Sequence, residues 1–180
     1  MSAADDAVVH TQLATWRRRI QRTAAGLTPP QTGSAQSALA PLLHQLVSVY
    51  NVASGLIAEI LRSADSPLAT TDTGRAYLHQ LATALEHTNR TAAHLSTAVT
   101  GLADIHRLAP RPGTAAPAES SLNVMLGHAA ALRSLRRALE AVTSPLAGPE
   151  QSSGPFSTPV VGKHSRAADA GGIQPSRRRP

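Results

Sequence analysis

Between residues 78 and 102, apolar and small side chains recur at alternating steps of three and four: Leu78, Leu81, Leu85, Thr88, Ala92, Leu95, Val99 and Leu102. On an α-helix this spacing gathers them into one stripe, which leaves water only by packing against other helices with similar stripes. The same rhythm occurs upstream in Leu39, Leu42, Leu46, Val49, Ala53, Leu56 and Ile60. There a second row, Leu43, Tyr50, Ile57 and Leu61, widens the apolar face, which predicts that this helix is the most buried of the chain. Val9, Leu13, Trp16 and Ile20 mark an earlier helix. Met125, Leu132 and Leu139, with Ala129, Leu135 and Val142 in the adjoining register, mark a later one.

Breaker residues set the limits. Ser2 and Asp5 have the spacing of a capping box that opens a helix over residues 3–25; Gly26 is placed to end it and Pro29-Pro30 prevents continuation. After a linker at Gln31–Ser34, the second helix is expected over 36–63, with Ser34 or Ser37 as N-cap and Pro41 tolerated near the first turn. Asp65-Ser66-Pro67 interrupts the chain, and a third helix begins between Pro67 and Arg75 and ends near Leu108, before Pro110 and Pro112. Its length at 1.5 Å per residue makes a rod of about 50 Å. The fourth helix spans 118–143 and is stopped by Pro145. Residues 145–180, rich in Gly, Pro, Ser and Ala, are expected to be a disordered tail because they offer too little apolar surface to offset ordering.

This order of elements, joined by connections of about ten residues, predicts an all-α, antiparallel four-helix bundle with heptad-like seams. A three-helix bundle, with the first helix swung away or exchanged with a partner, is the alternative. The chain then divides into a basic N-terminal helix in 1–30, a long central hairpin in 34–110, a fourth helix in 117–144 and the tail.

Composition constrains the core. With 42% hydrophobic but only 2% aromatic residues, namely Trp16, Tyr50, Tyr77 and Phe156, buried area must come from aliphatic side chains and alanine, which implies modest stability. The absence of cysteine excludes disulfides and thiolate chemistry. Between Leu39 and Leu61 the one formal charge is Glu59, but His44, Gln45 and Asn51 interrupt the run and no Lys/Arg cluster flanks it, so no membrane span is expected. The opening Met1-Ser2-Ala3-Ala4-Asp5-Asp6 has no basic region leading into an apolar run, which points to a cytoplasmic protein. The basic residues are all arginine apart from Lys163, a skew that suggests GC-rich, actinobacterium-like coding.

The net charge of +6 is uneven: +2 in residues 1–30, −1 in 31–110, +2 in 111–144 and +3 in 145–180. Its concentrations are Arg17, Arg18, Arg19 and Arg22 on the first helix, Arg133, Arg136 and Arg137 on the fourth, and Arg177, Arg178 and Arg179 in the tail. If the first and fourth helices are neighbours, these arginines are candidates for one polyanion-binding face. Successive helical residues point about 100° apart, so a run of three arginines cannot serve one groove, and a solvated basic surface is the favoured alternative.

Catalytic and metal signatures are weak. Asp72-Thr73-Gly74 spells an aspartic-protease triplet, but at a helix start Asp72 reads instead as an N-cap or first-turn acid. Of the histidines His44, His79, His87, His94, His106 and His128, no two are four residues apart, and no Glu-x-x-His pair of the di-iron bundles occurs, so neither metal nor cofactor is expected. His87 and His94 share a face beside the outward heptad positions and are expected to meet solvent as a pair. His128 and His44 lie nearer the apolar stripes. Asn89-Arg90-Thr91 matches a glycosylation sequon by chance in mid-helix, and Glu86 and Arg90 have the spacing of an exposed ion pair. Trp16 reads as a core anchor, and Ala53-Ser54-Gly55 as a site of close helix approach, with a seam completed by another subunit as the alternative. The expected function is a non-enzymatic protein-interaction or assembly module, acting through helical faces on a partner or on itself. A nucleic-acid-associated accessory protein using the arginines is the alternative.

Overall fold

The computed structural model describes residues 3–30, 35–108 and 118–146. Among these residues the chain is all-α: α1 Ala3–Gly26, α2 Ala35–Ala64, α3 Asp72–Leu108 and α4 Ala118–Thr143, with a short 3-10 turn at Pro67–Thr70 between α2 and α3. Each helix lies within two residues of its expected limits, because Gly26, Pro67 and Pro145 terminate it as their chemistry dictates. Ser2, Ser34 and the tail from residue 147, including Arg177, Arg178 and Arg179, lie outside the described residues.

The helices alternate in direction. Gln80 on α3 donates to the Ser144 carbonyl at 2.9 Å, while Gly101 near the other end of α3 lies against Val124 of α4, so these two helices are antiparallel. Gln45 on α2 donates to the Thr28 carbonyl at 2.9 Å and Gly55 lies against Trp16, so α1 runs antiparallel to α2. α3 packs most extensively against α4 and next against α2, while α1 lies across α4 and α2. The result is an up-down-up-down bundle in which α1 and α4 are neighbours, as the four-helix expectation required and the three-helix alternative did not.

Small residues set the α3–α4 spacing. Ala84 and Ala98 on α3 and Ala131 and Ala138 on α4 are fully buried. A Cβ placed on Gly127 would stand 2.9 Å from the His94 carbonyl oxygen. Backbones at this separation leave no room for large side chains, so the seam is filled by alanine and glycine. The Leu81, Thr88, Ala92, Leu95 and Leu102 stripe is buried as its spacing required, and Thr88 Oγ1 satisfies itself on the Ala84 carbonyl at 2.8 Å.

One expectation fails. α2 is not the most buried helix: its second row, Leu43, Tyr50, Ile57 and Leu61, stands exposed. The inner row already fills the bundle side, and a square arrangement covers only one face of each helix.

The start of α3 is fixed by its own turn. Thr71 Oγ1 accepts the Gly74 N–H at 2.9 Å and donates to the Leu68 carbonyl at 2.8 Å, so Thr71 serves as the cap. Asp72 is the first-turn acid and pairs with Arg75. A Cβ on Gly74 would come within 1.8 Å of the Leu68 carbonyl oxygen. Gly74→Ala therefore destabilises the chain by about 1–3 kcal/mol, despite the roughly 1 kcal/mol that alanine adds in helix propensity. Urea denaturation checks this; a stabilised variant contradicts the tight turn.

Candidate interaction face

α2 carries two apolar rows. The inner row, Leu42, Val49, Val52 and Leu56, is buried in the bundle. The outer row keeps Leu43 at 42%, Val47 at 55%, Tyr50 at 50%, Ile57 at 45% and Leu61 at 61% exposure. With Ser54 included, the outer positions advance by alternating fours and threes, the spacing of a second helix-packing seam. At 100° per residue the two rows lie about 140° apart, so one neighbour cannot cover both. α1 and α3 flank α2 and α4 lies diagonally opposite, so no helix of the bundle covers the outer row. From Ala38 to Ala58 α2 has no formally charged residue, which leaves this row free of the charges that normally solvate an exposed helix face.

Other exposed apolar side chains are less organised. Val8 stands alone on α1, and Leu122, Met125 and Leu126 cluster at the start of α4. That second cluster adjoins residues 109–117, which lie outside the described residues.

One buried carboxylate is satisfied by its neighbours. Glu59, 7% exposed, accepts from Tyr77 Oη at 3.1 Å and from Ser63 Oγ at 3.3 Å, and pairs with Arg62. Burial, with the Glu59 carboxylate second, pushes the Tyr77 hydroxyl well above its ordinary pKa, so it remains a hydrogen-bond donor to that carboxylate. A cleft of about 350 Å³ opens beside this group, lined on its other side by Val8, Val9 and Gln12 of α1. The cluster joins α2 to α3 across the bundle end. Sequence periodicity missed it because Glu59 lies on the buried side of a helix whose pattern records only apolar positions.

The candidate arginines fall on two adjacent helices. Arg17, Arg18, Arg22, Arg133, Arg136 and Arg137 are exposed, and the antiparallel packing of α1 on α4 brings their two groups to the same level of the bundle. Arg19 is engaged otherwise: its guanidinium lies 5.1 Å from the Trp16 ring centroid and donates to the Asn51 carbonyl at 3.3 Å. Among the described residues, none of these arginines forms an ion pair. Trp16 is 5% exposed, which makes it a core anchor. Gly55 makes room for side chains rather than for a neighbouring backbone: a Cβ there would meet the Trp16 ring and the Arg19 guanidinium at 2.8 Å. Glu86 and Arg90 form the exposed pair their spacing implied.

The histidines do not converge. Among the described residues no group of three metal-ligating side chains occurs. His44 is exposed, but His87 and His94 are half-buried rather than solvent-facing, because α4 closes on their flank of α3 at Gly127. His128 is buried and hydrogen-bonds the Thr28 backbone, while its Nε2 has no partner. Among the described residues no helix is long and apolar enough to cross a membrane. Compared with known protein families, curated proteins and solved structures, the chain matches none.

Burial lowers the His128 pKa below its ordinary 6.5, only partly opposed by the Thr28 hydrogen bond. The unfolded chain therefore takes up a proton before the folded one, so this contribution to stability is complete above 6.5 and is lost as pH falls through the folded value. Melting temperatures measured between about pH 7.5 and 5 should fall more steeply for the natural chain than for His128→Leu. Equal slopes contradict this assignment.

Proposed function

We propose that this chain is a non-enzymatic helical interaction or assembly module of a bacterial, actinobacterium-like cytoplasm, and that it works by presenting the outer face of α2 to a partner helix. The observation that carries this is the row Leu43, Val47, Tyr50, Ile57 and Leu61, half-exposed at heptad spacing on a helix whose inner row is already satisfied. A face of this kind is stabilised by receiving the apolar side of another helix, as in helix-in-groove and coiled-coil recognition. Its support is a rigid one, because the inner row fastens α2 to α3 and to α1. The polar groups favour binding over turnover: Glu59, Tyr77, Ser63 and Arg62 satisfy one another, and the ion pairs Asp72–Arg75 and Glu86–Arg90 among the described residues are local contacts on single helices.

A second function, association with nucleic acid or another polyanion, is favoured by one observation. The exposed arginines of α1 and α4 lie level with one another on neighbouring helices, in a chain of net charge +6. Such binding rests on phosphate neutralisation and collapses as salt rises. Arg133→Ala/Arg136→Ala should then lower duplex affinity and flatten its salt dependence in a gel-shift series; no retardation at low salt removes this function.

For the interaction module, the variant Val47→Glu/Ile57→Glu places charge in the middle of the outer row without touching the core. It should keep the helical circular-dichroism signal of the natural chain and lose association with any partner, whether another protein in co-precipitation or a second copy in sedimentation. Association that is the same in both chains, or absent from both, contradicts the proposal.

A further inference from the structure

Resting on the interaction-module reading, we infer that the occupant of the outer α2 face is the same face of a second copy of this chain, in antiparallel register about a two-fold axis at the level of residue 52. The sequence of side-chain sizes carries this. Reversing the row pairs Leu43 with Leu61, Val47 with Ile57 and Tyr50 with Ser54, and each pair is centred on residue 52. A two-fold interface must be self-complementary, with residue i of one copy meeting j of the other and j meeting i. This row satisfies that condition at every position.

The orientation follows from the same pairing. In heptad terms the row alternates between d-type positions (Leu43, Tyr50, Ile57) and a-type positions (Val47, Ser54, Leu61), so the antiparallel arrangement opposes each a with a d. The largest side chain, Tyr50, then meets the smallest, Ser54, which fills space evenly along the seam. A parallel arrangement would oppose Ser54 with Ser54 and Tyr50 with Tyr50, leaving a gap beside a collision.

Area and charge agree with a second copy. At these exposures the five apolar side chains leave roughly 500 Å² open to water, near the top of the range for a patch on a monomer. Two such faces bury about 1,000 Å² before flanking residues are counted, the lower bound for a specific interface. Of the charges on α2 itself, Arg62 stands at its far end, and the antiparallel register sets that end against the uncharged start of the partner's α2; beside the middle of the row lies Arg19 of α1, its guanidinium held by the Asn51 carbonyl and the Trp16 ring.

The lack of cysteine permits a direct test. The natural full chain at about 100 μM, above the dissociation constants usual for interfaces of standard size, should have twice the 18.7 kDa chain mass by light scattering. Leu43→Cys and Leu61→Cys, both at half-exposed positions, are then oxidised separately and as a mixture, with circular dichroism confirming that each is folded. The mixture should give covalent heterodimer, and either variant alone should give several-fold less. Cross-linking of Leu43→Cys with itself overturns the antiparallel register, and a dimer without cross-links in the mixture overturns pairing through α2. A monomeric natural chain overturns self-association; if capture of a different protein is still lost in Val47→Glu/Ile57→Glu, the broader interaction role stands while the second copy is excluded.

Discussion

The close approach of α3 to α4 is what the rest of this molecule depends on. A chain with 2% aromatic residues cannot fill wide gaps between helices, so it forms a core by bringing backbones together. Gly127, Gly101 and the buried alanines Ala84, Ala98, Ala131 and Ala138 make that possible. Each buries little apolar area, and stability comes from the length of the seam rather than from any one side chain. Length in turn explains why α3 spans Asp72–Leu108 and serves as the shared wall of the bundle.

Larger side chains are placed where helices stand further apart. Trp16 and Ile20 of α1 are buried, and Gly55 of α2 admits the indole. The Thr28 carbonyl receives Gln45 of α2 while the Thr28 backbone also hydrogen-bonds His128 of α4, which fixes the end of α1 to both neighbours. At the other end Glu59, Tyr77 and Ser63 perform the same office between α2 and α3. Polar groups therefore fasten the ends, while the threonines buried in mid-seam, Thr88 and Thr91, return their hydroxyls to the carbonyls of their own helix.

Much of this was legible in the sequence, for identifiable reasons. Heptad spacing gave the buried stripe from Leu81 to Leu102, and glycine and proline gave the helix limits, because both signals are local. The extent of α2 burial is not legible there, because periodicity shows which residues share a face but not how many neighbours a helix has. Leu43, Val47, Tyr50, Ile57 and Leu61 look like core in one dimension and lie outside it in three. For the same reason His87 and His94 were assigned to solvent, although α4 covers their side of α3. The Glu59–Tyr77 contact joins residues on different helices, and nothing in the spacing of either announces the other.

The central claim is that α2 has two apolar faces and that both leave water, one inside the bundle and one against another helix. The most direct measurement is methyl NMR with a soluble paramagnetic probe, comparing Leu43, Val47, Ile57 and Leu61 with Leu42 and Leu56 over a dilution series. The account requires the outer methyls to be shielded like the inner ones in concentrated solution and to become accessible on dilution, while the inner methyls do not change. Outer methyls equally open to the probe at every concentration and in the presence of cell extract would contradict it.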